Sequence, residues 1–284
     1  MKLFLHQTNL KKYLHSLRKQ GHSIGFVPTM GALHAGHISL IQQSKATNDI
    51  TVCSIFVNPT QFNDSTDLAK YPRTTEADIS MLLSVECEVL YLPNPHDVYG
   101  DVVEVQTQFD FEGLDTGLEG SSRPGHFAGV AQVVKLLLEI VQPDILYLGQ
   151  KDYQQWAIIN KMNSLLNLSV QVVRCPIYRE ENGLAMSSRN ARLSVEARNT
   201  ARIIYSTLQW AISKLAEMKF DTIEMEARKK IDANADFKTD YFKILNAENL
   251  KPMVKYNEQN AFVIVTAVVV EGIRLLDNVV KETT

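Results

Sequence analysis

The chain has 284 residues, enough for one large domain or two modest ones, and its 45% hydrophobic and 21% charged content is typical of a globular protein. A formal net charge of −3 gives no overall attraction for nucleic acid or for an anionic membrane surface. The cysteines Cys53, Cys87 and Cys175 are far apart and odd in number, so they have no metal-ligand spacing and do not suggest a disulfide framework. No apolar run has the length of a signal-peptide core or a bilayer span, so we expect a cytoplasmic location.

The first 177 residues alternate between predicted helices and predicted strands. Helices are predicted over residues 8–19, 37–46, 74–85, 126–141 and 151–166, and strands over 23–28, 49–57, 88–93, 144–149 and 169–177. One more strand is compatible with 102–108, and the Gly- and Ser-rich stretch 111–125 is predicted as a long loop. Because the strand segments are apolar rather than alternating, both faces of their sheet should be covered. The pattern predicts a Rossmann-like α/β fold with a doubly wound parallel sheet.

The regular alternation of predicted strands and helices does not continue after residue 190. One long helix is predicted over 194–218 and a second over 222–233. The Val- and Ile-rich segments 240–246 and 260–280 follow, which indicates strands. We therefore expect a Rossmann-like domain over residues 1–177 and a smaller α+β lid domain over 178–284.

A glycine-rich turn follows the first predicted strand, in FVPTMGALHAGH at residues 26–37. Its G-x-x-x-x-G spacing is that of a phosphate-binding loop, but His37 stands where that loop has lysine. Gly31 and Gly36 allow a ligand to approach the backbone closely, and a helix N-terminus at this point favours phosphate. His34 and His37 lie three residues apart and can both donate hydrogen bonds to phosphate oxygens. A tight turn with surface histidines is the alternative, but two His, two Gly and a Pro at this end of a strand favour a binding site.

Four later segments also place polar side chains in loops near strand ends or helix starts. They contribute Asn58 and Gln61 in FVNPTQF, Arg123 and His126 in SSRPGHFAG, Lys151, Asp152 and Gln155 in YLGQKDYQQ, and Ser187, Ser188 and Arg189 in GLAMSSRN. Amides suit hydroxyl and carboxylate oxygens, whereas cations and hydroxyls suit phosphate. Each segment alone is explained about as well by a polar turn, a capped helix start or a solvated linker. Only their combination points to a binding site.

Five blocks of the sequence together resemble one family. PTMGALHAGH, FVNPTQF, RPGHFAGV, LGQKDYQQ and GLAMSSRN are similar, in the same order, to the motifs of the pantoate–β-alanine ligase family. They cover most of residues 23–190, and the length of the remaining C-terminal part suits the family's second domain. The resemblance extends to nucleotidyltransferases and class I aminoacyl-tRNA synthetases with a His-x-Gly-His loop. In that relationship 186-MSSR-189 takes the place of their mobile Lys-Met-Ser-Lys-Ser loop.

The resemblance implies ATP-dependent condensation of (R)-pantoate with β-alanine into pantothenate, AMP and pyrophosphate, through a pantoyl-adenylate intermediate. The residues that it implies for the chemistry at the phosphates are His34, His37, Lys151, Ser187, Ser188 and Arg189. Those that it implies for ATP binding are Met30, Gly31, Ala32, Leu33, His34, Ala35, Gly36, His37, Gly149, Gln150, Lys151, Asp152, Tyr178, Met186, Ser187, Ser188 and Arg189. Those that it implies for substrate binding are Gln61 and Gln155, which hold pantoate, together with Asn58, Arg123 and His126.

The resemblance also implies a metal ion and an assembly. Mg²⁺ is expected with the triphosphate, held mainly by the ATP phosphates, and Asp78 matches an acidic position implied to reach it. A homodimer is implied, and neither nucleic acid nor a membrane is an expected partner. Four residues depart from the family pattern: Thr60 replaces a common Met, Ala77 an acid found in some relatives, Gln150 a more usual Glu, and Tyr178 a smaller aliphatic residue.

Other functions stay open at this point. One is a nucleotidyltransferase that stops at an adenylated product, and another is a tRNA-aminoacylating or tRNA-binding protein. The near-neutral charge and the short C-terminal region disfavour the tRNA function. A need for β-alanine in turnover separates the ligase from the transferase. A non-catalytic binding protein is the least favoured, because all five donor blocks are intact.

Overall fold

The computed structural model describes residues 1–62, 65–104 and 108–283. The chain divides into two compact units. The first comprises Met1–Gly149 and Gln154–Pro176, and the second comprises Gln150–Tyr153 and Ile177–Thr284. The short segment Gln150–Tyr153 thus groups with the C-terminal residues, although its helical pattern continues into residues 154–166 and its sequence alone placed it in the first domain.

The first unit is built on a six-stranded sheet in which all paired strands are parallel. The strands are β1 (Lys2–Phe4), β2 (Ile24–Thr29), β3 (Ile50–Ile55), β4 (Val89–Tyr91), β5 (Ile145–Gly149) and β6 (Gln171–Cys175). Their order is β1-β4-β3-β2-β5-β6, so the topological switch point lies between β2 and β5. The predicted parallel α/β sheet is confirmed. β1 was not predicted, because three residues are too few to show a period.

Helices connect these strands. They are α1 (Gln7–Lys19), α2 (Ala35–Thr47), α3 (Ser65–Lys70), α4 (Thr75–Ser84), α5 (Pro95–Tyr99), α6 (Glu119–Ser122), α7 (His126–Val141) and α8 (Tyr153–Leu165). The helices α3, α5 and α6 were missed, since none is longer than six residues. The strand considered over 102–108 is wrong for the described part, because 102–104 and 108 are irregular and 105–107 lie outside the described residues.

The apolar strand runs are covered by helices, as a parallel sheet requires. Leu40 and Ile41 of α2 pack with Val27, Cys53 and Leu90 of the strands in one buried cluster. All three cysteines are buried with free thiols, and burial raises the pKa of Cys87 to about 11. Within the described residues, no helix is long and apolar enough to cross a membrane.

In its described residues, the second unit contains three α-helices and a three-stranded antiparallel sheet. Its elements are α9 (Val195–Thr200), α10 (Arg202–Lys214), α11 (Phe220–Asp232), β7 (Phe237–Asn246), β8 (Phe262–Val270) and β9 (Ile273–Lys281). The predicted single helix over 194–218 is wrong, because Ala201, with ψ of −12°, interrupts the α-helical ladder between α9 and α10. The apolar segment 260–280 is a hairpin, whose turn at Glu271 and Gly272 has positive φ at both residues.

Candidate active site

The turn after β2 lies at the switch point of the sheet and depends on left-handed backbone. Gly31 has φ of 82° and Ala32 has φ of 49°. A Cβ atom on Gly31 would lie 3.0 Å from Asp78 Oδ2 and 3.1 Å from Ile55 Cγ2, so both the backbone angle and the space demand glycine. The helix α2 begins four residues later at Ala35. Its N-terminus therefore opens at the carboxyl end of β2, where ligands bind in this class of fold.

His34 and His37 cap the start of α2. Nδ1 of His34 accepts a hydrogen bond from the Gly36 amide at 3.1 Å, and Nδ1 of His37 accepts one from the His34 amide at 3.3 Å. Because an accepting Nδ1 carries no proton, the proton of each neutral ring is on Nε2. The two ring centroids are 4.1 Å apart. The turn thus pairs two Nε2–H donors with a helix N-terminus, which suits phosphate oxygens.

Asp78 of α4 anchors the same turn. Its Oδ2 accepts a hydrogen bond from the Ala32 amide at 3.0 Å, and its Oδ1 accepts from the Leu33 amide at 2.8 Å and the Thr74 hydroxyl at 3.1 Å. The residue is only 2% exposed. A carboxylate that satisfies two backbone donors holds the strained Ala32 in place.

This arrangement does not fit the expected role of Asp78 as a metal ligand, because the buried carboxylate is already occupied by three donors. In the described part of the chain, no group of three or more His, Cys, Asp or Glu side chains could hold a metal ion. Mg²⁺ commonly keeps its waters and binds substrate phosphates with few protein ligands.

Gln61 lies at the end of a short 3₁₀ helix that Asn58 caps. Asn58 is 1% exposed, and its Oδ1 accepts from the Thr60 amide at 3.3 Å. Its Nδ2 donates to Gln61 Oε1 at 3.1 Å and to the Gly129 carbonyl oxygen at 3.2 Å. Gln61 Nε2 lies 3.0 Å from Met30 Sδ. The structure thus brings Met30, Asn58 and Gln61 together. Asn58 was expected to touch substrate, but it is buried behind Gln61 with both amide hydrogens engaged.

The N-terminus of α7 packs against this 3₁₀ helix. Nδ1 of His126 lies 2.8 Å from the Gln61 carbonyl oxygen, so His126 contacts the backbone of Gln61. A Cβ atom on Gly129 would lie 2.3 Å from the Thr60 carbonyl oxygen, so only glycine allows this close approach. Arg123 lies half-buried in the turn before α7, and its carbonyl oxygen accepts from the His126 amide at 3.1 Å.

Gln155 is half-buried on α8, beside a glutamine with a structural role. Gln154 Nε2 donates to the carbonyl oxygens of Leu114 and Gly117 at 2.7 and 2.8 Å, and its Oε1 accepts from the Glu119 amide at 3.0 Å. These bonds fasten the predicted long loop 111–125 to α8. Gln154 holds the loop, and Gln155 stays a predicted ligand.

In the second unit, Asn278 of β9 holds the 3₁₀ turn that carries Lys151. Asn278 Nδ2 donates to the carbonyl oxygens of Gln150 and Lys151 at 2.9 and 3.0 Å. Gln150 Nε2 donates to Asn278 Oδ1 at 3.1 Å, a bond that an ionised glutamate at this position could not make. The Lys151 side chain is 18% exposed, with Nζ 3.5 Å from Asp152 Oδ1.

A small hairpin carries the residues that precede the MSSR block. The Tyr178 carbonyl oxygen accepts from the Met186 amide at 3.0 Å, and Arg179 pairs with Ala185 in an antiparallel bridge. The Tyr178 side chain is 47% exposed. The larger side chain at this position therefore lies at the surface of the unit.

The serines and the arginine of this block begin a 3₁₀ helix over Ser188–Arg192. Ser187 caps it, because its Oγ accepts from the Arg189 amide at 3.3 Å. Asn190 is buried and donates to Glu180 Oε1 at 2.7 Å. Burial alone would raise the pKa of Glu180, but the hydrogen bonds from Arg198 and Asn190 hold it below its ordinary value. Glu180 thus ties the hairpin to the 3₁₀ helix as a carboxylate.

Three predicted site residues, Lys151, Ser187 and Arg189, line one cleft of the second unit together with Asp277. Asp277 is buried and forms a bidentate ion pair with Arg179, with oxygen–nitrogen distances of 2.7 and 2.9 Å. Burial raises the pKa of Asp277, and the guanidinium opposes that shift. Neither Arg179 nor Asp277 was predicted. The available signal was the polar pair 277–278 inside an apolar strand segment, since a buried polar group needs a partner.

A parallel sheet with a glycine turn, two imidazole donors and a helix N-terminus at its switch point defines a nucleotide-binding α/β protein. The Pantoate-beta-alanine ligase family model matches residues 2–280. The pantothenate synthetase of Cytophaga hutchinsonii is 42% identical over 273 residues, 95% of this chain and 96% of the relative. That of Flavobacterium psychrophilum is 41% identical over 280 residues, 98% of this chain and 99% of the relative. The chain belongs to the pantoate–β-alanine ligase family.

Solved structures agree with this membership. The pantothenate synthetase of Thermus thermophilus matches with a TM-score of 0.89 and 34% identity, over 98% of this chain and 99% of that chain. The pantoate-β-alanine ligase of Francisella tularensis, complexed with beta-gamma ATP and β-alanine, matches with a TM-score of 0.81 and 37% identity, over 100% and 99%. The predicted family, ligase function and fold class are confirmed.

Proposed function

We propose that this chain uses ATP to join (R)-pantoate and β-alanine through pantoyl adenylate. We also propose the following roles for the residues described above. The observation that carries the proposal is the hydrogen bonding of His34 and His37. Both Nδ1 atoms accept backbone amides, so both rings are Nε2–H donors beside the N-terminus of α2. Adenylation needs such donors, because negative charge develops on the α-phosphate and on the leaving pyrophosphate.

In the first step, a carboxylate oxygen of pantoate forms a bond to the α-phosphorus of ATP. The bond from that phosphorus to the bridging oxygen breaks, and pyrophosphate leaves with the electron pair. His34 and His37 stabilise the charge by donating hydrogen bonds, which requires no transfer of their protons. The glycine turn, including Met30–His37, supplies the surrounding backbone for the nucleotide.

In the second step, the amine of β-alanine attacks the acyl carbon of pantoyl adenylate. The carbon–oxygen bond to AMP breaks, AMP leaves with the electron pair, and the nitrogen gives up one proton as the amide forms. Gln61 and Gln155 are proposed to hold pantoate through both steps. A neutral amide can bind hydroxyl and carboxylate oxygens without fixing an ion pair that would weaken the nucleophile.

The second unit is proposed to bind the ATP phosphates through Lys151, Ser187, Ser188 and Arg189. Support comes from the cleft that Lys151, Ser187 and Arg189 share, which offers a lysine, a hydroxyl and an arginine to an anion. The neighbouring residues Gly149, Gln150, Asp152, Tyr178 and Met186 are proposed to contact the nucleotide. Arg123 and His126 remain proposed substrate ligands, whereas Asn58 is assigned to the support of Gln61.

Three further proposals concern the metal ion, the assembly and the location. Mg²⁺ accompanies ATP, shielding its phosphates as a Lewis acid, with no described side chain assigned to it. The enzyme is a homodimer, and it acts in the cytoplasm. Neither nucleic acid nor a membrane is a proposed partner.

The test is pyrophosphate release from ATP in the presence of Mg²⁺, with pantoate and β-alanine added singly and together. Sustained release that needs both substrates, with pantothenate accumulating, supports the ligase. Sustained release with pantoate alone points to a transferase that stops at the adenylate. No response to pantoate, but turnover with another acid, contradicts the substrate assignment while leaving the nucleotide-binding fold unchanged.

A further inference from the structure

We propose that Tyr99, acting with Thr60, orients the side-chain amide of Gln61, so that Gln61 offers its substrate an N–H donor rather than a carbonyl acceptor. Tyr99 is the last residue of α5 and lies outside every motif described above. It is a positioning residue, since it acts on Gln61 through Asn58. The identity of the ligand as pantoate rests on the proposed function.

We call the chain of hydrogen bonds from the Tyr99 and Thr60 hydroxyls through Asn58 to Gln61 the relay. Its first step is at Asn58 Oδ1. The Tyr99 hydroxyl donates to this oxygen at 2.5 Å, and the Thr60 hydroxyl donates to it at 3.0 Å. The two hydroxyl oxygens are themselves 3.0 Å apart. The Thr60 amide adds a third donor at 3.3 Å. Because an N–H can only donate, this end of the Asn58 side chain must be its oxygen.

The second step is at Asn58 Nδ2. One of its hydrogens goes to the Gly129 carbonyl oxygen, which can only accept, and the other goes to Gln61 Oε1 at 3.1 Å. Both ends of the Asn58 amide are therefore fixed. The Thr60 N–H, which can only donate, fixes Oδ1, and the Gly129 carbonyl oxygen, which can only accept, fixes Nδ2. Asn58 has no hydrogen left for a substrate.

The third step follows at Gln61. Its Oε1 faces Asn58, which donates to it, so its Nε2 is the end of the amide that does not face Asn58, 3.0 Å from Met30 Sδ. A thioether sulfur is only a weak acceptor. The Nε2 group can therefore direct a hydrogen at a carboxylate or hydroxyl oxygen of the substrate. The His126 contact to the Gln61 carbonyl oxygen holds the backbone of the same residue.

The Tyr99 hydroxyl is suited to act as a permanent donor. Burial raises the pKa of Tyr99, although the adjacent Thr60 hydroxyl opposes the shift, so the hydroxyl stays protonated at neutral pH. The ring packs near Phe56, with centroids 6.3 Å apart. Loss of the hydroxyl alone should leave that packing in place. Thr60, where the family commonly has Met, adds a hydroxyl to the relay.

The test compares Tyr99→Phe and Thr60→Val with Tyr147→Phe. The control also removes a buried tyrosine hydroxyl in the first unit, one that contacts Thr47 and Asn48 rather than the relay. Each relay variant is expected to raise the pantoate KM roughly five- to tenfold, as for loss of one buried hydrogen bond. The ATP KM and the melting temperature are expected to match those of the control.

A second variant reverses the relay directly. Asn58→Asp puts an acceptor where Nδ2 was, so Gln61 should turn its Nε2 inward and its Oε1 toward the substrate. We expect this variant to raise the pantoate KM more than Tyr99→Phe does.

Three outcomes overturn the relay: a pantoate KM in Tyr99→Phe equal to that of the control, equal changes in the KM of pantoate and ATP, or Asn58→Asp with an unchanged pantoate KM. Failure of the unaltered enzyme to turn over pantoate would instead contradict the proposed function. If the wild-type enzyme turns over pantoate but Tyr99→Phe leaves the pantoate KM unchanged, only the relay is contradicted.

Discussion

Asn278 Nδ2 donates to the carbonyl oxygen of Lys151 at 3.0 Å, across 127 positions of sequence. A residue of the last strand thereby fixes the backbone of a lysine proposed to bind ATP phosphates. The same amide holds Gln150, so one side chain bonds two consecutive residues of the turn. This relationship explains why residues 150–153 group with the second unit rather than with the sheet that precedes them.

Asn278→Ala should loosen the Lys151 turn without removing any proposed ligand. The two carbonyl oxygens lose their donor, at about 1 kcal/mol for each hydrogen bond. We expect the ATP KM to rise several-fold while the pantoate KM changes little. Steady-state kinetics with each substrate varied in turn measures both values. A larger change in the pantoate KM than in the ATP KM would contradict this role.

His37→Ala should remove one of the two Nε2–H donors at the start of α2. We expect kcat to fall roughly 10²- to 10³-fold, as for the loss of one preorganised donor in a transition state. His15→Ala, at an exposed position on α1, is the matched control and should retain full activity. Near-normal turnover of the His37 variant, measured as pyrophosphate release, would remove His37 from the proposed mechanism.

Asp78→Asn should destabilise the glycine turn. One of the two backbone amides that the carboxylate accepts would face an NH₂ group instead. We expect the free energy of unfolding to fall by about 1.5–3 kcal/mol, the range for a hydrogen bond to a charged group. Denaturant unfolding of the Asp78→Asn protein measures the difference, with Glu76→Gln, an exposed change in the same helix, as the control. Unchanged stability together with an altered dependence on Mg²⁺ would instead restore the metal-ligand role.

Glu180→Gln should weaken the second unit in a pH-dependent way. The pKa of Glu180 is lower in the folded protein than its ordinary value of 4.5, because bonds from Arg198 and Asn190 outweigh burial. A depressed pKa contributes stability above the unfolded pKa, and that contribution is lost as pH falls through the folded pKa. The difference in melting temperature between wild type and variant should therefore be full near neutral pH and shrink below about 4.5. A difference that grows on acidification would contradict this assignment.

Much of the first unit could be predicted because its signals are local. Apolar strand runs separated by helical patterns define the sheet, and the glycine and histidine spacing identifies the turn at its switch point. The motif blocks brought Gln61, Lys151 and the MSSR segment into one functional interpretation. Each of these features is contained in a stretch of about ten residues.

The remaining features arise from contacts between distant parts of the sequence. Tyr99 and Asn58 are separated by 41 positions, and no sequence pattern near either residue predicts their hydrogen bond. The contacts of Asp78 could not be predicted, because an acid near a nucleotide site suggests a metal, whereas its partners in the structure are two backbone amides and a threonine hydroxyl. The interruption at Ala201 was missed because helical residues flank it on both sides.

The pantoyl-adenylate route is the central claim, and an isotope measurement tests it most directly. Pantoate labelled with oxygen-18 in its carboxylate is turned over with ATP, Mg²⁺ and β-alanine, and the products are analysed by mass spectrometry. If the carboxylate attacks the α-phosphorus, one labelled oxygen appears in the phosphate of AMP and the other stays in the new amide of pantothenate. Unlabelled AMP, or label in pyrophosphate or inorganic phosphate, would contradict the adenylate and require another form of activated pantoate.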